Sequence, residues 1–118
     1  MKKISVVEKL DTPVLLSTDK GKSLFYILLD ELKHQETLVL DFSGYEYIST
    51  TFLNNSIGDL VVTNNWDFET LNKHLNISGL SEDDLEALKL SVNNSKFKKS
   101  LIDKGLNPEE IYSNYTSI

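Results

Sequence analysis

Ile4 and Val6 fall on one side of an extended chain with Val7 nearby, and this alternation predicts a short strand over residues 4–10. Asp11, Thr12 and Pro13 supply a turn, and Val14, Leu15 and Leu16 form a second short apolar run. Ser17, Thr18 and Asp19 then offer three successive N-cap residues, so a helix is expected from that point. Over residues 20–33 the apolar side chains of Leu24, Phe25, Ile27, Leu28, Leu29 and Leu32 cover a stripe too wide for a lone surface helix and suited to packing on a sheet. Residues 37–42 form a dense apolar run with a single acid, Asp41, which is how a buried parallel strand reads. Ser43 and Gly44 break that run, residues 45–48 continue extended, and Ser49, Thr50 and Thr51 open a second helix.

Phe52, Leu53, Ile57, Leu60 and Val61 share one face of this second helix, and Asn64 and Asn65 stop it. Residues 66–74 read as a short helix and residues 75–80, with alternating apolar and small polar positions, as a last strand. Ser81 caps a long helix whose first turn holds Glu82, Asp83 and Asp84, with Asp84 at the capping-box position and Leu85, Leu88 and Val92 facing inward. Beyond Lys99, Gly105 and Pro108 loosen the pattern, with one more helical turn expected over residues 108–112 and fraying over 113–118. Strands alternating with helices make this an α/β chain with a largely parallel sheet. The expected division is one domain over residues 1–100 and a tail over 101–118.

Composition narrows the chemistry. The chain has 118 residues, a formal net charge of -6 and no cysteine. Its basic residues are all lysines, and the missing arginine forks together with the acidic balance argue against nucleic-acid binding. Absent cysteines remove disulfides, thiolate metal sites and thiol nucleophiles. No apolar signal core follows Met1, Lys2 and Lys3, and no stretch approaches the roughly 20 apolar residues that span a bilayer, so a cytoplasmic location without membrane contact is expected.

Catalytic constellations are scarce. His34 and His74 lie at predicted helix ends, where exposed histidines complement the dipole, and they lack the spacing of a metal pair. The glycines are scattered singly, which excludes phosphate-cradling and dinucleotide loops. Glu82, Asp83 and Asp84 read as dipole complements before they read as cation ligands. The Lys96, Lys98 and Lys99 cluster reads as a solvated helix face. Asp41, at the carboxyl end of the buried strand, is the one carboxylate placed where open α/β sheets bind ligands, although a lone acid there more often anchors loop amides. No catalytic residue, metal or cofactor is assigned.

The segment from Leu38 through Asp41, Phe42, Ser43 and Gly44 to Ser49, Thr50, Thr51, Phe52 and Leu53 resembles the core signature of STAS domains, in which a strand ending in Leu-Asp-Leu/Phe-Ser-Gly leads through a short turn into a helix opened by hydroxyl residues. It is more similar still to the STAS-like family of unknown function. The resemblance implies a STAS-like α/β fold with a mixed, mostly parallel sheet of about four to five strands and helices packed on it. STAS domains include anti-sigma-factor antagonists, which dock on a kinase-type anti-sigma factor and are switched by phosphorylation of a serine at the start of the second helix. That position falls on Thr51. Ser49 stands where the pattern has Asp, and Phe52 stands where it has a small residue and is expected to crowd a close approach to the helix start.

The resemblance thus implies a non-catalytic regulatory module. Its protein partner would be a histidine-kinase-like ATPase or a serine kinase, met by Asp41, Ser43, Gly44, Ser49, Thr50, Thr51, Phe52, Asn54 and Asn55, with Thr51, Thr50 and Ser49 as switch candidates. Simple helix capping by Ser49, Thr50 and Thr51 stands beside the switch, and a small-molecule or nucleotide sensor using Asp41 and the same hydroxyls is the second class.

Overall fold

A computed structural model describes residues 2–105. The turn expected over 108–112 and the fraying expected over 113–118 lie outside the described residues. Strand β1 (Lys2–Ser5) runs straight into helix α1 (Val6–Leu10), so the strand expected over residues 4–10 is only half extended. The reason is local: the Ser5 hydroxyl accepts the Glu8 N–H and caps a helix, which buries Val6 and Leu10 together. Asp11 ends α1 in the left-handed conformation, and the turn before Pro13 forms as expected.

Strand β2 (Val14–Leu15) leads to helix α2 (Thr18–Glu31), capped by the Ser17 hydroxyl on the Lys20 N–H at 3.1 Å. Leu24 and Leu28 of α2 are fully buried, and Ile27, Leu29 and Leu32 pack against the same core. Strand β3 (Leu38–Asp41) is followed by β4 (Tyr47–Ile48). The second helix begins at Thr50 as α3 (Thr50–Leu53), passes through a π turn at Asn54–Gly58 and resumes as α4 (Asp59–Asn64), where Asn65 adopts the left-handed conformation. Helix α5 (Phe68–His74), strand β5 (Leu75–Ser78) and helix α6 (Glu82–Asp103) complete the described chain. Helix α6 passes residue 100 without a break, and Leu101 is buried.

The strands form two parallel sheets, one of three strands in the order β1-β3-β5 and one of two strands, β2-β4. The expected α/β fold of parallel strands with helices packed on them forms, with the strands divided between two sheets instead of joined in one of mixed direction. The β1-β3 pairing, Lys2↔Leu38 to Ser5↔Asp41, stops because one chain turns into α1 and the other into the Ser43-Gly44 turn, and pairing restarts with Val14↔Tyr47 and Leu15↔Ile48. In the three-stranded sheet Ile4, Leu40 and Ile77 share one register row, while Lys3, Val39 and Asn76 share the next. Leu38 and Leu40 are accordingly buried, whereas Val39 and Asp41 are half-buried, so β3 is not enclosed on both faces as its apolar run suggested. Polar neighbours on either side of Val39 hold that face closer to water.

Phe52, Leu53, Ile57, Leu60 and Val61 are all fully buried, with α2 and α6 packed along the 50–64 helix. The approach is close. A Cβ on Gly21 would meet the backbone oxygen of Phe52 and the Cβ of Asn55 at 2.9 Å, and one on Gly58 would meet the Ser95 hydroxyl at 2.6 Å. Buried Ser91 and Ser95 on α6 let the two helices meet there, and Ser91 donates to the carboxamide oxygen of Asn54. The π turn was not legible in the apolar pattern, because its extra residue leaves the buried positions on one face.

Candidate functional site

Parallel pairing brings Ser5, Asp41 and Ser78 level at the carboxyl ends of their strands. There Asp41 closes a turn: its Oδ1 accepts the Ser43 N–H at 2.9 Å and the Ser43 hydroxyl at 2.6 Å, and its Oδ2 lies 3.2 Å from the Lys3 ammonium. These bonds favour the ionised carboxyl, which is lowered from 3.8 to about 2, first by the Ser43 hydroxyl, then by the Ser43 amide and by Lys3. Gly79, at φ +84°, backs the same turn, and a Cβ there would come within 2.5 Å of the Ser43 nitrogen. Asp41 is thus an anchor of loop groups, with both carboxylate oxygens already engaged.

The following turn is tied to α6. Tyr45 donates its hydroxyl to the Asp84 carboxylate and accepts the Ser81 N–H at 3.1 Å, while the Asp84 N–H reaches the Ser81 hydroxyl at 3.2 Å. Ser81 and Asp84 were expected to form a reciprocal capping box, and a tyrosine from the turn after β3 stands between them. Among the described residues no group of three histidines or carboxylates could hold a metal ion. His74 is half-buried and not simply exposed: its ring stacks on Trp66 at 4.5 Å, and its Nδ1 lies 3.0 Å from the Glu36 carbonyl.

Ser49 caps α3. Its hydroxyl accepts the Phe52 N–H at 3.0 Å and donates to the Leu16 carbonyl at 2.8 Å, and its own N–H reaches the Leu15 carbonyl at 3.0 Å. The helix start is thereby clamped to the end of β2. Thr50 and Thr51 next to it are exposed. Phe52 points the other way and is fully buried, so it can neither contact a partner nor crowd the helix start. The helix turns its first hydrophobic residue inward, three positions after the cap. Asn54 is held against α6 by Ser91, and Asn55 donates to the Thr51 carbonyl at 2.8 Å.

A surface the sequence reading missed lies beside these hydroxyls. Leu15 is fully buried, which turns its neighbours Val14 and Leu16 to the opposite side, and both are exposed. Tyr47, the cross-strand partner of Val14, is exposed as well. Val14, Leu16 and Tyr47 therefore line up on the open side of the two-stranded sheet, next to Thr50 and Thr51. The one signal in the sequence is that a two-residue strand can bury only alternate members of the Val14-Leu15-Leu16 run.

Comparison with known families matches residues 20–85, more than half of the chain, to the STAS-like domain of unknown function (DUF4325). The chain belongs to this STAS-like family. The match runs from α2 to the first turn of α6, so it contains the Asp41 turn, the Ser49 cap and the π turn. Strand β1 lies outside that span and pairs with β3 along its whole length. No curated protein and no solved structure matches the chain. No helix among the described residues is long and apolar enough to cross a membrane.

Proposed function

We propose that this STAS-like domain is a non-catalytic docking module whose partner binds the face formed by Val14, Leu16, Tyr47, Thr50 and Thr51. One observation carries the reading: three exposed apolar side chains stand together on the two-stranded sheet, directly beside a helix start that presents two exposed hydroxyls. Isolated exposed apolar residues are ordinary, but a contiguous group beside polar residues is the usual make-up of a protein-binding patch. A kinase-like ATPase or serine kinase fits this face, because a phosphate on Thr51 would add nearly two negative charges at its edge. Ser49 is a poor acceptor for such a phosphate, since its hydroxyl holds Leu16 and the Phe52 amide together.

The sensor reading is the weaker one at the place first considered for it, because Asp41 and Ser49 are committed to internal bonds. The docking reading is tested by placing a photoreactive phenylalanine analogue at Tyr47, Thr51 or Lys73 in the host cell. Lys73 is exposed on α5, whose carbonyl receives Thr37 at the far end of β3. A discrete adduct from positions 47 and 51, absent from position 73, is the expected result, with the adduct from position 47 lost when Thr51→Glu is added. Adducts of equal strength at all three positions, or none at any, would remove the proposal.

A further inference from the structure

Helix α6 and the helix over residues 50–64 lie side by side and run in the same direction. Asn54 meets Ser91, Gly58 meets Ser95, and Lys99 reaches the Val62 carbonyl at 3.5 Å, so the contacts recur at every fourth residue of both helices. Along one side of this seam lies a cleft of about 470 Å³, within the range of roughly 300–1,000 Å³ that small-molecule sites occupy. Thr51, Asn55 and Asp59 line it from one helix and Asn94, Lys98 and Ile102 from the other, each series at the spacing that keeps side chains on one helical face. Ser95 lines the cleft from the seam itself. A serine inside a helix commonly returns its hydroxyl to the carbonyl four residues back, as Ser23 and Ser56 do. Ser95 is only 9% exposed, yet its hydroxyl makes no hydrogen bond among the described residues. A buried hydroxyl left unpaired is costly, and a partner from outside the chain removes that cost.

The charged side chains of the cleft are already engaged. Lys99 is half-buried by its bond to Val62, Lys98 has an interaction of its own, and Asp59 lies in the fields of Lys22 and Lys98. The lysine run read from sequence as a solvated face is thus partly packed. What the cleft leaves open is neutral. Asn54 gives its carboxamide oxygen to Ser91 and keeps its amide donors, whereas Asn55 gives an amide hydrogen to the Thr51 carbonyl and keeps its oxygen. These two residues belong to the π turn, a wider coil that recurs at functional sites. Half-buried Val62 and exposed Ile102 add apolar surface farther along the seam.

We infer that the cleft binds a small uncharged molecule with a hydrogen-bond donor and acceptor side by side on one planar edge, the chemistry shared by a free nucleobase and its nucleoside. Carboxamides pair with such an edge, and aliphatic side chains accept the flat face behind it. Asn54 and Asn55 supply the acceptor and donor complement, Val62 and Ile102 the apolar contact, and Ser95 gains the partner it lacks. A sugar alone brings hydroxyls without a flat apolar face. Because Thr51 also borders the docking face, an occupied cleft changes what a docking partner meets; that coupling rests on the docking reading, and the binding does not.

The test uses the full isotope-labelled chain without any partner, so its outcome is independent of docking. Adenine, adenosine, uracil and uridine are titrated separately, with ribose as the sugar control, and backbone amide shifts are followed by NMR. Saturable shifts from at least one base or nucleoside are expected, confined to Thr51, Asn54, Asn55, Val62, Ser95 and their neighbours, with none from ribose. Comparison of each base with its nucleoside shows which of the two the cleft prefers. Added sodium chloride should leave the dissociation constant unchanged, since no ion pair forms. Ser95→Ala, a change that helices favour, should weaken the best probe by about fivefold or more, and Asn55→Leu by at least as much. Asn93→Ala, at an exposed neighbour outside the cleft, should leave it unchanged. Shifts reproduced by ribose, shifts spread over the whole surface, binding abolished by salt, binding indifferent to Ser95→Ala, or no saturable shift at millimolar probe would overturn the inference.

Discussion

Replacing Gly58 with alanine sets two effects of known size against each other. Gly58 sits inside a helix at φ -56°, where alanine is favoured over glycine by about 1 kcal/mol. The added Cβ, however, would lie 2.6 Å from the Ser95 hydroxyl and 3.3 Å from that of Ser91. The first distance is far inside van der Waals contact, and overpacking of this kind costs about 1–3 kcal/mol. Ser95 is nearly buried and cannot swing freely into solvent, so the overlap outweighs the propensity gain. Gly58→Ala should therefore destabilise the chain by up to about 2 kcal/mol. Removing the obstructing oxygen with Ser95→Ala should let alanine at 58 be tolerated or even stabilise. Urea unfolding of the wild type, both single variants and the double variant measures the coupling, expected at about 1–3 kcal/mol. A stabilising Gly58→Ala with no coupling to position 95 would show that α6 does not press on the π turn. The close contact between α6 and the π turn would then be wrong.

Further expectations follow from individual contacts. Ser49→Ala should cost about 1–2 kcal/mol in urea unfolding, because it removes the α3 cap and the tie to Leu16, whereas Thr51→Ala should change stability by less than about 0.5 kcal/mol. Phe52→Ala should cost about 3–5 kcal/mol by the same assay, as befits a fully buried ring; a value below 1 kcal/mol would contradict its burial. The Asp41 carboxyl is lowered in the folded chain from 3.8 to about 2, so its stabilising bonds are intact above pH 4 and are lost as pH falls through about 2. An NMR titration should place the Asp41 midpoint well below that of an exposed aspartate, and Asp41→Asn should flatten that part of the acid-unfolding curve; a midpoint near 3.8 would refute the turn geometry.

Much of this STAS-like domain was written locally in its sequence. Ser81 caps the helix it was expected to cap, Ser17 and Ser49 are each the first of the three cap candidates offered at their helix starts, Asn65 ends the second helix, and the apolar run at residues 38–41 is the central strand. Capping and strand formation depend on neighbours within a few residues, so such patterns carry over into the fold. The Asp41 and Ser43 pair is of the same kind, a turn closed over two residues. What needed the tertiary structure were the relations between distant segments. The division of the strands into two sheets and the outward rotation of Val14, Leu16 and Tyr47 depend on what packs opposite each residue. A cavity between α6 and the π turn is the extreme case. Lys98 and Lys99 lie more than forty positions from Asn54 and Asn55, and only the close meeting of α6 with the π turn, permitted by Gly58, Ser91 and Ser95, sets them around one cavity.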